Sequence, residues 1–262
     1  MGFFKGLVEG ILGKQSQEPV SSHRPDREIF EAGGITFSVG IVPPTPEQEA
    51  AWDKKREATA LIRAGDTGGA VKALEEAQSL EGEPQSHDEI RRAKYLQKDG
   101  RAADAWAIYV RLLAESDSAW IDVDVLDAMR LHLQRDGQAE RAIDFGIAHR
   151  VARVSLYRDM KREAEVALGG PMPDYMKSLG QSARASELWE RQKEQHRSSI
   201  DFAEKWISDL SDPTDVTDTV TKLAKKAKVP ERVPELIART FAAIESGVSA
   251  RNCLPARAAI TG

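Results

Sequence analysis

Five histidines, one cysteine and several acidic clusters are the side chains with candidate chemistry in this chain. His23, His87, His132, His149 and His196 form neither an H-E-x-x-H arrangement nor another tight metal-ligand spacing. His132 and His149 stand 17 residues apart and could face each other across a helical hairpin, yet packing or surface roles are expected of both. Asp122, Asp124 and Asp127 crowd the segment IDVDVLD. A calcium loop would need a glycine at its sharp turn and a closing glutamate; with neither in place, these acids are expected to favour a helix N-terminus through its dipole. Asp212, Asp215 and Asp218 read the same way. Glu187, Glu190 and Glu194 share a helical face with Arg184, Arg191 and Lys193 among them, the pattern of a solvated, salt-bridged face rather than two converging carboxylates. Cys253 lies in an apparent tail, far from any expected base. The chain has no G-x-x-x-x-G-K, G-x-S-x-G or G-x-G-x-x-G motif. A non-enzymatic protein with no cofactor and no bound metal is the expectation.

Two other features point to binding. The run KLAKKAK carries Lys222, Lys225, Lys226 and Lys228, with Arg232 and Arg239 beyond. Residues 214–262 hold 8 basic and 5 acidic residues, net +3, in a chain whose net charge is −5. This basic patch suits an acidic partner, a lipid headgroup or nucleic acid. Nucleic acid ranks last, because no aromatics for base stacking are interleaved and the overall field is acidic. The second feature is MGFFKGLVEGILGKQ. Over residues 1–14, Phe3, Leu7 and Ile11 form one i, i+4 row and Phe4, Val8 and Leu12 the next. Gly2, Gly6 and Gly10 form a third row, and each costs a helix about 1 kcal/mol relative to Ala. Such a segment is expected to fold only on a surface, either protein or membrane. Lys5 and Lys14 are its only cations, fewer than interfacial helices relying on anionic lipid usually carry.

These groups need a scaffold, and composition bounds it. The chain has 262 residues, 41% hydrophobic and 30% charged, enough for a sizeable core. A single cysteine excludes a disulfide framework. Glu9 breaks the only signal-like apolar run, and Gly6 stands where a myristoylation pattern needs Ser or Thr. A cytoplasmic location is expected, with membrane association through residues 1–14 as the second reading. Residues 15–28 read as a flexible linker. A β-hairpin is expected over 29–44, where Ile35, Phe37, Val39 and Ile41 alternate with smaller or polar residues after Gly33-Gly34.

From 46 to 168 the pattern is helical and punctuated. The turn signals AGDTGGA, DGRAADA, DGQAERA and LGQSARA place glycines at 65, 100, 137 and 180. An alanine follows each five residues on: Ala70, Ala105, Ala142 and Ala185. Leu61, Leu96 and Leu133 stand four residues before the first three glycines. Leu74, Tyr109, Gly146 and Trp189 stand four after the alanines, and Ala58 and Ala93 seven before the first two glycines. At these residues the chain resembles the tetratricopeptide repeat family, a helical-hairpin solenoid. The fit runs over 47–157 and is best across Glu47–Ser116. The third unit departs from it: Arg130 replaces the small residue of the first helix, and Gly146 the large residue of the second. Pro171 and Pro173 interrupt the first helix of the fourth. Further helices are expected over 173–247 and a frayed tail over 248–262.

The fold class is therefore mainly α: a TPR-like repeat array with a small N-terminal hairpin and extra C-terminal helices. The resemblance implies protein–protein interaction and no chemistry. It does not extend to a carboxylate clamp, because Thr59, Lys94 and Leu131 occupy the asparagine place. Lys55, Arg92, Lys94 and Asp127 are the expected contact residues on the first helices. An adaptor or scaffold binding another protein or peptide is the leading expectation. A peripheral membrane protein held by residues 1–14 and the basic run is the alternative.

Overall fold

Thr45 opens the helical part of the chain. Its hydroxyl accepts from the Gln48 backbone N–H, and the Gln48 side chain accepts in return from the Thr45 N–H at 3.0 Å, a capping box that satisfies two otherwise orphaned donors. Pro46 fits the first helical position, where no N–H is needed. Helix α1 (Pro46–Ala64) runs from there to Gly65 and turns into α2 (Thr67–Glu81). α3 (Ser86–Lys98) and α4 (Ala102–Glu115) make the second hairpin, α5 (Ala119–Arg135) and α6 (Ala139–Gly169) the third. The computed structural model describes residues 27–32, 35–40, 44–82, 85–116, 118–173 and 183–254. The segments 1–14 and 15–26, Gly180 and residues 255–262 lie outside the described residues.

The three hairpin turns share one construction. Gly65, Gly100 and Gly137 all take φ between 75° and 87°, a region L side chains enter at a cost. After each glycine the next backbone N–H reaches back to the leucine carbonyl: Asp66 to Leu61 at 3.0 Å, Arg101 to Leu96 at 2.9 Å and Gln138 to Leu133 at 2.9 Å. That is the 6→1 bond of a Schellman ending, so the leucine–glycine spacing in the sequence marks where each helix stops. Ala58, Ala70, Ala93, Ala105 and Ala142 are fully buried, which allows paired helices to approach closely. Each hairpin packs on the next through α2 with α3 and α4 with α5, and the first helices α3 and α5 also touch. The result is an all-helical array in which every helix packs on its neighbours. A continuous core runs from Val71 through Tyr109, Met129 and Phe145 to Leu236 and Cys253.

Two features lie beyond the repeat fit over 47–157. The second helix of the third hairpin continues past residue 157 and ends only at Gly169, because no glycine or proline interrupts 158–168. Its extension packs along α7 (Ala183–Ser211). The tail is not wholly frayed. Ala250–Cys253 form a 3-10 turn against α6, with Ala250 and Cys253 buried. Arg251 fixes that turn by pairing with Asp122 at 2.8 Å and donating to the Ser116 carbonyl.

Between these, Asp212 caps α8 (Pro213–Lys226) by accepting from Thr214 and Asp215 N–H groups. A 3-10 turn (Pro230–Arg232) leads into α9 (Val233–Ser246), which ends at left-handed Gly247. Upstream of the array, β1 (Arg27–Ala32) and β2 (Ile35–Gly40) pair antiparallel, with Phe30 opposite Phe37.

Candidate functional site

The two positions where the third unit departs from the repeat pattern meet in space. A Cβ built on Gly146 would lie 2.6 Å from Leu223 Cδ1 and 3.3 Å from Arg130 Cδ. The missing side chain lets Leu223 seat α8 against α6 while the Arg130 stem crosses from α5. α8 therefore forms one wall of a cleft of about 760 Å³, and α6 and the end of α7 form the others.

Arg150 holds the cleft together. Only 8% of it is exposed. It donates to the Leu210 carbonyl at 2.8 Å, to Asp215 Oδ2 at 2.5 Å and to Thr219 Oγ1 at 2.8 Å. One α6 side chain thus ties the end of α7 to the first turns of α8. Its charge is matched by Asp215, as a buried guanidinium requires.

The remaining cations are less committed. Arg130 pairs with Asp127 on its own helix at 2.5 Å. The Arg153 guanidinium sits 5.3 Å from the Trp206 ring centre, a cation–π contact. Trp206 also stacks on Tyr157, with centroids 5.7 Å apart and planes 7° from parallel. Lys222 and Lys226 stand exposed on α8, one turn apart. Among the described residues, Arg153, Lys222 and Lys226 make no salt bridge. Of the three lining carboxylates, Asp212 is used as a cap and Asp215 by Arg150. Asp209 has no such partner among the described residues.

His149 also lines the cleft. Burial pushes its pKa down to about 4, with the Arg153, Arg130 and Arg150 charges adding and Asp127 opposing. The ring is therefore neutral at pH 7. So low a pKa makes it a weak general base. The cleft offers guanidinium and ammonium donors, a neutral imidazole and one free carboxylate. That set suits binding of an anionic group.

The structure spreads the expected contact residues widely. Lys55 is held between Glu81 and Asp88, each at 2.6 Å. Burial opposes its charge, but the combined attraction of these two carboxylates outweighs it, and its pKa is raised. Arg92 donates to Gln78 at 2.6 Å and lies 3.7 Å from Glu89. Asp88 and Glu89 are themselves buried, and Glu89 also pairs with Arg111. This network fastens α1, α2, α3 and α4 and commits Lys55 and Arg92 to internal partners. Lys94 is exposed. Asp127 is half-buried at the edge of the cleft, 4.0 Å from His149 Nδ1. Lys222, Lys225, Lys226 and Lys228 are all exposed. The apolar rows Phe3, Phe4, Leu7, Val8, Ile11 and Leu12 lie outside the described residues.

His132 and His149 do not converge. His132 is buried among Trp106 and Tyr109, and burial lowers its pKa. Burial raises the Cys253 thiol, with Arg239 opposing, so no reactive thiolate is favoured. Among the described residues no three His, Cys, Asp or Glu side chains converge on a metal position, and no helix is long and apolar enough to cross a membrane. Sequence reasoning missed Arg150, Arg153 and Trp206. The available signal was the pair of departures at 130 and 146, which marked where the sequence pattern breaks.

The chain matches no protein-family model, no curated protein and no solved structure.

Proposed function

We propose that this chain is a non-enzymatic adaptor that binds another protein through a TPR-like helical array. The supporting observation is the repetition of one turn construction at Gly65, Gly100 and Gly137, with fully buried Ala70, Ala105 and Ala142 behind it. Stacked helical hairpins present long side-chain surfaces suited to peptides and helices. In this reading the N-terminal hairpin caps the array and residues 1–14 are a docking segment. Paired capture from native lysate, with the full chain and a version lacking residues 1–21 as baits, tests the reading. A partner held by both baits supports it. A chain that stays monomeric and captures nothing contradicts it.

A second reading has its own observation. Lys222, Lys225, Lys226 and Lys228 are exposed and make no salt bridge among the described residues, which suits an anionic membrane surface. Flotation with phosphatidylserine vesicles that persists unchanged after deletion of residues 1–14 would remove the anchor from this reading.

A further inference from the structure

We propose that the α6–α7–α8 cleft is the seat of an acidic peptide segment of the protein partner. The inference rests on the adaptor reading and names the chemistry of what is bound.

Three observations carry it. Arg153, Lys222 and Lys226 face the cleft without a carboxylate partner among the described residues. Their uncompensated charge contrasts with Lys55, Arg92 and Arg150, which the fold consumes in internal pairs. The cations are also distributed. Lys222 and Lys226 are separated by one helical turn of about 5.4 Å, and Arg153 lies on α6, off the α8 wall. Several anionic groups along an extended segment match that spacing better than one compact oxyanion. Finally, the cleft of about 760 Å³ is open to solvent, so an extended segment can lie along it without being enclosed.

The acids in the lining decide between a peptide and a uniformly anionic surface. Asp209 and Asp212 repel any anion, peptide carboxylates included, and most of all a phosphate-rich polymer whose backbone brings no N–H donor to set against them. A peptide carries backbone N–H donors beside its carboxylates and satisfies both signs of charge at once. Neutral His149 adds a donor or acceptor without adding charge. The positive lining is local, because the chain as a whole is net −5. The attraction is accordingly short-ranged and screened by salt.

The test uses the full chain and a fluorescein-labelled hexaglutamate peptide, read by anisotropy at low and moderate salt, with hexaglutamine as the uncharged counterpart. One double variant, Lys222→Glu/Lys226→Glu, reverses the cleft wall. A matched variant, Lys72→Glu/Lys98→Glu, changes net charge equally but touches two exposed lysines outside the lining and outside the basic run. Thermal melts confirm that both variants fold. The expected result is binding of hexaglutamate over hexaglutamine, weakened about tenfold or more by the cleft variant and less than about twofold by the matched one. Equal weakening by both variants overturns the proposal in favour of diffuse charge. So does equal binding of the two peptides. Phosphatidylserine vesicles that bind the chain and are lost with the cleft variant, while hexaglutamate is not bound, also overturn it. A captured partner that the cleft variant still holds refutes the cleft and leaves the adaptor reading standing. Hexaglutamate binding with no captured partner refutes the adaptor reading instead.

Discussion

At the scale of single residues, the cleft depends on groups that the fold has forced into one protonation state or one backbone state. His149 titrates near 6.5 in an unfolded chain and near 4 when folded. The unfolded state therefore binds more protons between those values, and stability falls as pH drops from about 6.5 towards 4. His132 works in the same direction. The groups facing His149 are Asp127, Arg130, Arg150 and Arg153, of which only Asp127 would be relieved by a proton on the ring. His149→Gln is expected to flatten the loss in melting temperature between pH 7 and pH 5; an unaltered slope would mean the ring is solvated. Arg150→Met removes the donor to Leu210, Asp215 and Thr219, and is expected to cost about 2 kcal/mol in urea denaturation. Lys228 is the one non-glycine with positive φ among the described residues, at 60°. Val229 donates to the Ala224 carbonyl behind it at 3.0 Å, as in the glycine-ended helices. Lys228→Gly should therefore stabilise the chain by about 1 kcal/mol.

At the scale of elements, each hairpin is a helix stopped by a left-handed glycine and a returning helix laid close on it by an alanine. Gly100→Ala should cost about 1 kcal/mol through backbone strain alone, since nothing lies within 4 Å of its Cβ position. Gly146 is the opposite case. It sits mid-helix with ordinary backbone angles, and Leu223 fills its space. Gly146→Leu should cost roughly 1–3 kcal/mol by overpacking and increase proteolysis around α8. Retained stability and protection would show that α8 is not seated there. The hairpins were legible in the sequence because their signals are local: Leu61 to Gly65 to Ala70, repeated at 96–105 and 133–142, fixes where a helix ends and where its partner comes close. The cleft was not legible for the converse reason. Arg150 meets Leu210, Asp215 and Thr219 across 60 to 69 residues of sequence. No spacing rule connects them. Arg130 and Gly146 were visible only as departures, and a departure does not say what replaces the lost contact.

At the scale of the whole molecule, the array divides its charged groups into two uses. In the first two hairpins, buried Asp88 and Glu89 take up Lys55, Arg92 and Arg111 and fasten successive helices. Beyond the three glycine-turned hairpins, α8 turns back on α6 and brings Lys222 and Lys226 towards Arg153 without matching them. The first arrangement spends charge on rigidity; the second leaves charge available to a partner. The Arg251 contacts to Asp122 and Ser116 hold the last described turn against α5 and the end of α4, so the C-terminal helices are part of the same body as the array. The most direct test of the adaptor reading is crosslinking mass spectrometry on complexes purified from native lysate through the full-length chain. The expected result is one reproducible partner whose crosslinks fall on array and cleft lysines, Lys94, Lys222 and Lys226 among them. A chain recovered alone, with crosslinks only to itself, would contradict that reading.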